Sequence, residues 1–444
     1  MPWQSEMYAA VRHPSEAKVL LIRSDGKWNL PRVRLQGDVW AGDADQLIPA
    51  FAQRLRGRPW IFRQIRIDSD RTTERIEGIF EMVMTSPGWD PPRNSRWVDR
   101  AALGTLRVKE ERFRRLLDQY LADLATIPGQ RSPWSSRGWL ADVQPWIDEE
   151  VSKLGHQIRE IEQVKQWSIS TVLRVKTEGP DFYFKVSKEL PLFVNEALVT
   201  LRLARRFPDY VQAPIAIEPV RAWMLFSAFD ELISETAPVD IRRQIFARFG
   251  ELQRVSLGAV DGLLDDGCVD RRLDVLETQI DPLIGDEGSL RGLSEDDRAL
   301  LRNLAPKLKE STHQLADLAV PYTLVHGDFH LANTARVDGA VVFFDWTDAS
   351  VSHPFFDLQS LKWETDEAEK QSIIDAYLSG WRDFAGPDQL RRAVMLSGIL
   401  TPLHHAVSYQ QLLINLEPAS RPELDATADF LRRVIVGAAA LEEA

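Results

Sequence analysis

Apolar positions along this chain recur in two periods, and the shorter one dominates the first quarter. Runs at 7–11 and 18–22 read as two strands joined through His13-Pro14-Ser15-Glu16, a hairpin pattern. A helical spacing follows at 47, 48, 51 and 55. Strand-like runs at 61–67, 75–85 and 96–98 and a helix over about 109–124 complete this part. Residues 126–138 gather Pro, Gly and Ser with little periodic apolar content, which is linker composition. Beyond them, apolar residues at 146, 147, 151, 154 and 158 predict an amphipathic helix with Pro145 near its first turn. Three strands at 161–167, 171–177 and 182–186 come next, then a helix from about 191 to 207. Strands at 215–217 and 222–226 complete a sheet of about five. From 231 onward the pattern turns helical, at 239–257, 271–284, 294–318, 366–385 and 387–413. Leu252, Val255 and Leu257, and later Leu396, Leu400, Leu403 and Val407, read as bundle core.

Length and composition narrow the classes. A chain of 444 residues predicts two or more domains. Its 44% hydrophobic and 27% charged content is that of an ordinary globular protein. A formal net charge of −12 argues against a general nucleic-acid or anionic-membrane binder. One cysteine, Cys268, leaves no internal disulfide framework. The start of the chain has no signal-peptide pattern, and no apolar run approaches the ~20 residues of a membrane span. The expectation is a cytoplasmic protein with neither nucleic-acid nor membrane partners, and with homodimerisation left open.

The chemistry concentrates near residue 330. His326-Gly327-Asp328-Phe329-His330-Leu331-Ala332-Asn333 is followed by the strand-like Val341–Phe344 and then by Asp345-Trp346. Asp328, Asn333 and Asp345 are three oxygen-bearing side chains bracketed by apolar runs, as a hard cation shared with phosphates requires. Upstream, Lys185 interrupts an apolar strand, where it either faces solvent at an edge or is paired with a helix carboxylate such as Glu196. Ser168-Ile169-Ser170 is a short polar bend, which on its own reads as a plain hairpin tip or as a phosphate loop without glycine.

The motif His326-Gly327-Asp328-x-His330-x-x-Asn333, with Phe344-Asp345-Trp346 and His353-Pro354-Phe355-Phe356-Asp357-Leu358, resembles the aminoglycoside phosphotransferase and choline kinase-like family, relatives of protein kinases. The resemblance runs from about residue 150 to the end. It implies that Asp328 is the catalytic base and that Asn333 and Asp345 hold Mg²⁺. Lys185 would contact the ATP phosphates, with Glu196 positioning it. Ser168, Ser170 and Thr171 would cap the phosphates, the backbone near Ser227 and Ala228 would meet adenine, and Asp357 would brace the loop. The spacing of four residues between Asp328 and Asn333 is that of a kinase catalytic loop. His326 reads as structural; for His330 both a structural and a functional role stay open.

The first 125 residues resemble the Nudix fold in Lys18-Val19-Leu20-Leu21-Ile22-Arg23, Trp28-Asn29-Leu30-Pro31 and Arg96-Trp97-Val98. The Nudix box is missing: no glutamate occurs between Glu16 and Glu74, and Asp38, Asp43 and Asp45 do not replace it. The fold expected is α+β. A Nudix-like α/β/α domain at 1–126 and a linker at 127–140 precede a bilobal kinase-like domain at 141–444. Its small antiparallel lobe spans about 141–226 and its helical lobe about 231–444. The function expected is transfer of the ATP γ-phosphate to a hydroxyl of a small molecule. The alternative is a catalytically silent kinase-like and Nudix-like protein that binds ligands or regulates. Aminoglycosides, choline-like amino alcohols, homoserine and sugars all stay open as acceptors.

Overall fold

The computed structural model describes residues 4–36, 42–70, 73–124 and 129–443. Asp38 and residues 126–128 of the linker lie outside them. The chain forms two compact units, one of residues 1–188 with 415–424 and one of residues 189–414 with 425–444.

The first unit begins with β1 (Gln4–Val11), β2 (Val19–Ser24), β3 (Lys27–Asn29) and β4 (Arg32–Gln36), followed by α1 (Ala44–Leu55). Then come β5 (Pro59–Asp70), β6 (Arg75–Met84), β7 (Ser95–Val98), α2 (Arg100–Leu103) and α3 (Glu111–Asp123). One sheet has the order β4-β1-β6-β5 and a second has β3-β2-β7. Strand β1 is apolar on both faces, because both are covered. Met7, Ala9 and Val11 pack with Leu47, Phe51 and Leu55 of α1, while Tyr8 and Ala10 pack with Phe113, Leu117 and Tyr120 of α3.

The expected hairpin of residues 7–11 and 18–22 does not form. Strand β1 pairs with β4 and β6, β2 pairs with β3 and β7, and only an isolated Arg12–Val19 bridge joins them. Met7–Val11 of β1 and Val19–Ile22 of β2 are buried throughout, and alternation cannot name the partner of a strand that is apolar on both sides.

The unit continues with α4 (Trp139–Lys153), β8 (Ile158–Gln166), β9 (Ser170–Thr177) and β10 (Phe182–Ser187). Helix α4 starts earlier than Pro145 suggested. Trp139, Val143, Ile147 and Val151 form its buried stripe at i, i+4 spacing, with Pro145 inside the helix. Strands β8, β9 and β10 are antiparallel neighbours. The amide of Gln163 on β8 clamps the backbone of Ile61, accepting from its N–H and donating to its carbonyl, both at 2.8 Å. Gln166 donates to the Phe62 carbonyl, which the register shift between Ile61 and Arg63 takes out of the ladder. Gly42 lies so close to Trp167 that a Cβ would come within 2.3 Å of the indole, so the backbone approach there requires glycine.

Residues 415–424 supply two carboxylates to this unit. Glu417 pairs with Arg63 at 2.8 Å and Arg131 at 3.0 Å, and Arg63 also pairs with Glu81 at 2.7 Å, all of them buried. Glu423 accepts the N–H of Ser168 at 3.2 Å. Burial pushes its carboxyl up to about 7, against the pull of the Ser168 bonds. A carboxyl whose folded pKa exceeds its unfolded value favours the folded state most at acid pH, and this preference is lost as pH rises through the folded value. Glu423→Gln imitates the protonated form. Between about pH 5 and 7 the parent's melting temperature is therefore expected to fall relative to that of Glu423→Gln, measured by thermal unfolding across that range; parallel curves would contradict this.

The second unit starts with α5 (Glu196–Arg206), β11 (Ala216–Glu218), β12 (Trp223–Ser227) and β13 (Glu231–Leu232). Helix α5 begins at its N-cap Asn195, which accepts from Leu198 N–H at 3.1 Å, and not at Pro191. Then follow α6 (Val239–Val255), α7 (Val260–Asp265), β14 (Val269–Asp270), α8 (Leu273–Gly285), α9 (Glu295–Asp317) and β15 (Thr323–Val325). The last elements are β16 (Thr334–Val337), β17 (Ala340–Phe343), β18 (Ser350–Ser352), α10 (Glu367–Leu378), α11 (Pro387–Asn415) and α12 (Thr427–Glu443). Leu252, Leu396, Leu400, Leu403 and Val407 are core as expected, whereas Val255 at the end of α6 is 50% exposed. Short strands followed by a mainly helical region make up this unit. No described helix is long and apolar enough to cross a membrane.

Candidate active site

The loop at 326–333 leaves the end of β15, which pairs with β18, and enters the β16–β17 hairpin. Its base is a ring stack: Phe329 lies on Phe249 at 3.8 Å between centroids and 8° between planes, and Phe343 meets both edge-on. His326 is fully buried, with Nε2 2.9 Å from the Phe344 carbonyl. Burial holds its pKa below the usual imidazole range, the structural role expected. Gly327 has φ +83°, and a Cβ there would meet the Cβ and carbonyl oxygen of Asp348 at 2.6 Å. Only glycine fits.

Asp357 is the brace. One carboxylate oxygen accepts from His326 N–H and the other from Gly327 N–H, both at 2.9 Å, and Gln253 donates at 3.0 Å. Asp357 is 2% exposed, and burial pushes its carboxyl up to about 7, opposed by these donors.

Asp328 differs sharply in setting. Its side chain is 64% accessible, yet desolvation by surrounding protein is the largest influence on its acidity. Those two facts describe a carboxylate open to solvent but walled by protein. Desolvation raises its pKa, but the His330 bond and charge outweigh it and leave the carboxyl below its usual range. Asn333 donates its amide nitrogen to the Asp328 carbonyl at 2.9 Å, which leaves its amide oxygen as the accepting end. The Asn333 carbonyl in turn accepts from Phe344 N–H at 3.1 Å, which ties the loop to the strand carrying Asp345. Asp345 itself has φ +67°, a strained conformation for a side chain other than glycine. Thr347 donates to its Oδ1 at 3.0 Å. Asp328, Asn333 and Asp345 thus sit on one linked piece of backbone.

Two residues missed in the sequence complete this constellation. Glu235 accepts from His330 Nδ1 at 2.7 Å and from Ala332 N–H at 3.0 Å, while His330 Nε2 stands 3.7 Å from Asp328. Burial disfavours charge on His330, but Asp328 and Glu235 outweigh it and lift its pKa to about 10. His330 is therefore an imidazolium between two carboxylates. Asp348 is the second: burial and the neighbouring Asp328 and Asp345 push its carboxyl well above the usual range. No local pattern marks Glu235, because a 95-residue separation closes only in the fold.

The remaining candidates are placed as follows. Glu196 opens α5 and is 2% exposed. Ser227 ends β12 and is exposed, with Ala228 next to it half-buried. Phe229 then packs on Phe344 at 4.6 Å, beside Asp345. In the first unit, Lys185 is half-buried on β10, in register with Val172. Ser170 starts β9, while Ser168 gives its N–H to Glu423 and its carbonyl to Ser132 Oγ. Thr171 is fully buried, and its hydroxyl is engaged by the Lys165 carbonyl at 2.9 Å and Gln166 at 2.7 Å.

Among the described residues no group of three or more His, Cys, Asp or Glu side chains forms a metal cage. Asn333 and Asp345 offer one amide and one carboxylate oxygen, a donor set that suits Mg²⁺ arriving with phosphates better than an all-protein site.

Among solved structures, choline kinase LicA from Streptococcus pneumoniae is 15% identical with a TM-score of 0.48, covering 67% of this chain and 99% of its own. Macrolide 2'-phosphotransferase MphH from Brachybacterium faecium is 17% identical with a TM-score of 0.47, covering 64% and 98%. No curated protein sequence matches. The model of the phosphotransferase enzyme family, APH, matches residues 160–392. That span takes in over half of the chain and every element of the loop just described, and the chain belongs to the phosphotransferase enzyme family.

Proposed function

We propose that the protein transfers the γ-phosphoryl group of ATP, with Mg²⁺, to a hydroxyl of a small molecule. The observation that carries this is the joined backbone of Asp328, Asn333 and Asp345, which separates an open carboxylate from two oxygen donors. Asn333 and Asp345 would hold the cation, which supplies neutralisation of phosphate charge. Asp328 orients the acceptor hydroxyl and takes its proton as the oxygen attacks the γ-phosphorus and the bond to ADP breaks. His330, held cationic by Glu235, lies next to that carboxylate and keeps it ionised. By the resemblance, Lys185, Ser168 and Ser170 would be the residues that meet the phosphates and the backbone at Ser227 and Ala228 the one that meets adenine; Thr171, fully buried with its hydroxyl taken up by Lys165 and Gln166, is not among the caps. Such transfer works by positioning and charge, and no covalent intermediate is needed. The N-terminal part, by its residue patterns, is a Nudix-like domain without the glutamates of hydrolysis.

Binding of Mg²⁺ and ATP is expected to raise the melting temperature of the parent by several degrees, as any ligand selective for the folded state does. Asp345→Ala should lose most of this rise when both are scanned with and without nucleotide. An unmoved parent, or equal shifts in the two proteins, would count against the reading.

A further inference from the structure

The second unit brings two basic side chains, Lys362 and Arg433, onto one aromatic ring. Lys362, just before α10, places its ammonium 4.0 Å from the centroid of Trp363 and 5.0 Å from that of Phe430. Arg433 on α12 lies 5.6 Å from the same Phe430 ring. His405 stacks on Phe430 at 5.2 Å and 17°, and Tyr409 packs against it at 5.1 Å. The charge of Asp328 acts on Lys362, His405 and Tyr409 alike, so this cluster and the catalytic carboxylate share one neighbourhood in the second unit. Among the described residues no carboxylate comes within ion-pair distance of Lys362. Burial and then Arg433 draw its amine down to about 7, with Asp328 opposing. An amine so depressed is one that a bound anion would recharge.

An aromatic cage for an ammonium group needs vacant ring faces. Here the Phe430 ring already carries both Lys362 and Arg433, and one face of Trp363 carries Lys362, so a positively charged acceptor would meet basic groups of its own sign. We propose that the acceptor is an anionic hydroxy compound, with a carboxylate or a phosphate near its hydroxyl, and that Lys362 and Arg433 hold that acid group. This rests on the phosphotransferase reading above, and it selects within the range of acceptors the sequence left open.

The test begins with the parent and Mg²⁺ plus ATP alone, since absence of nucleotide stabilisation would sink the parent reading and this inference with it. With stabilisation in hand, calorimetry in the presence of Mg²⁺ and a non-hydrolysable ATP analogue compares glycerate and glycerol 3-phosphate with glycerol, ethanolamine and choline. At least one of the two acids should bind about tenfold or more tightly than glycerol and the amino alcohols. Which acid it is separates the carboxylate from the phosphate. Lys362→Met should weaken that binding about tenfold, while Lys362→Arg restores it. Tighter binding of ethanolamine or choline, no binding of either acid at millimolar concentration, or an unchanged affinity in a folded Lys362→Met would overturn the inference and leave the phosphotransferase reading standing.

Discussion

Asp328→Ala is expected to cut acceptor-dependent ADP release by about 10²–10⁴-fold, the usual contribution of a positioned general base. The reason lies in how differently the loop spends its two kinds of carboxylate. Asp357 is sealed and committed to two backbone N–H groups and the Gln253 amide, whereas Asp328 is open and, among the described residues, its carboxylate makes only a 3.7 Å contact to His330. Truncating an exposed side chain with so few structural duties should leave the fold intact, so stability and nucleotide-induced stabilisation should stay near the parent's. Steady-state ADP release beside a melting curve separates the two effects. A variant that keeps its rate would mean the open carboxylate is not the base.

Asp357→Ala is expected to act in the opposite way. Removing it leaves the His326 and Gly327 N–H groups and the Gln253 amide without their acceptor in a site 2% exposed. Orphaned buried donors cost about 1–3 kcal/mol each, and discounting for the cost of burying the carboxylate itself leaves about 3–5 kcal/mol. For a unit of this size that lowers the melting temperature by roughly 10 °C. Activity should fall as well, because the peptide from His326 to Gly327 sets the path of the chain into Asp328. Gln253→Ala, which removes one donor to the same carboxylate, should show a smaller loss, and equal losses would argue against Asp357 as the hub. Thermal unfolding of both variants reads this directly.

The parts of the site that a reader of the sequence could find are those written on one continuous stretch. Asp328, Asn333 and Asp345 stand within eighteen positions of one another, and the apolar runs beside them predict the strands that hold them. Glu235 and Lys362 were invisible for the opposite reason. Glu235 reaches His330 only through tertiary packing, Lys362 meets Phe430 in the same way, and a lone Glu or Lys in a sequence resembles any solvated residue. The helices came through well where one face alone is buried, as in α6 and α9. Strands β1 and β2 misled because burial on both faces erases the alternation that would assign partners. The start of α4 is hidden because a proline favours the first turn of a helix, while here Trp139 and Val143 carry the buried stripe back past Pro145. Ser168 read as a bare polar bend; its N–H partner Glu423 lies 255 positions away, a distance no local pattern can bridge.

The central claim is transfer of a phosphoryl group from ATP to a hydroxyl, with Asp328 as the base. Phosphorus NMR of the parent with Mg²⁺, ATP and a panel of hydroxy compounds, run beside Asp328→Ala, tests it most directly. The account predicts a new phosphomonoester signal growing in step with ADP for the parent and none, on the same timescale, for the folded Asp328→Ala. A phosphomonoester formed equally by both proteins, or ATP left intact by the parent with every acceptor although it binds, would contradict it.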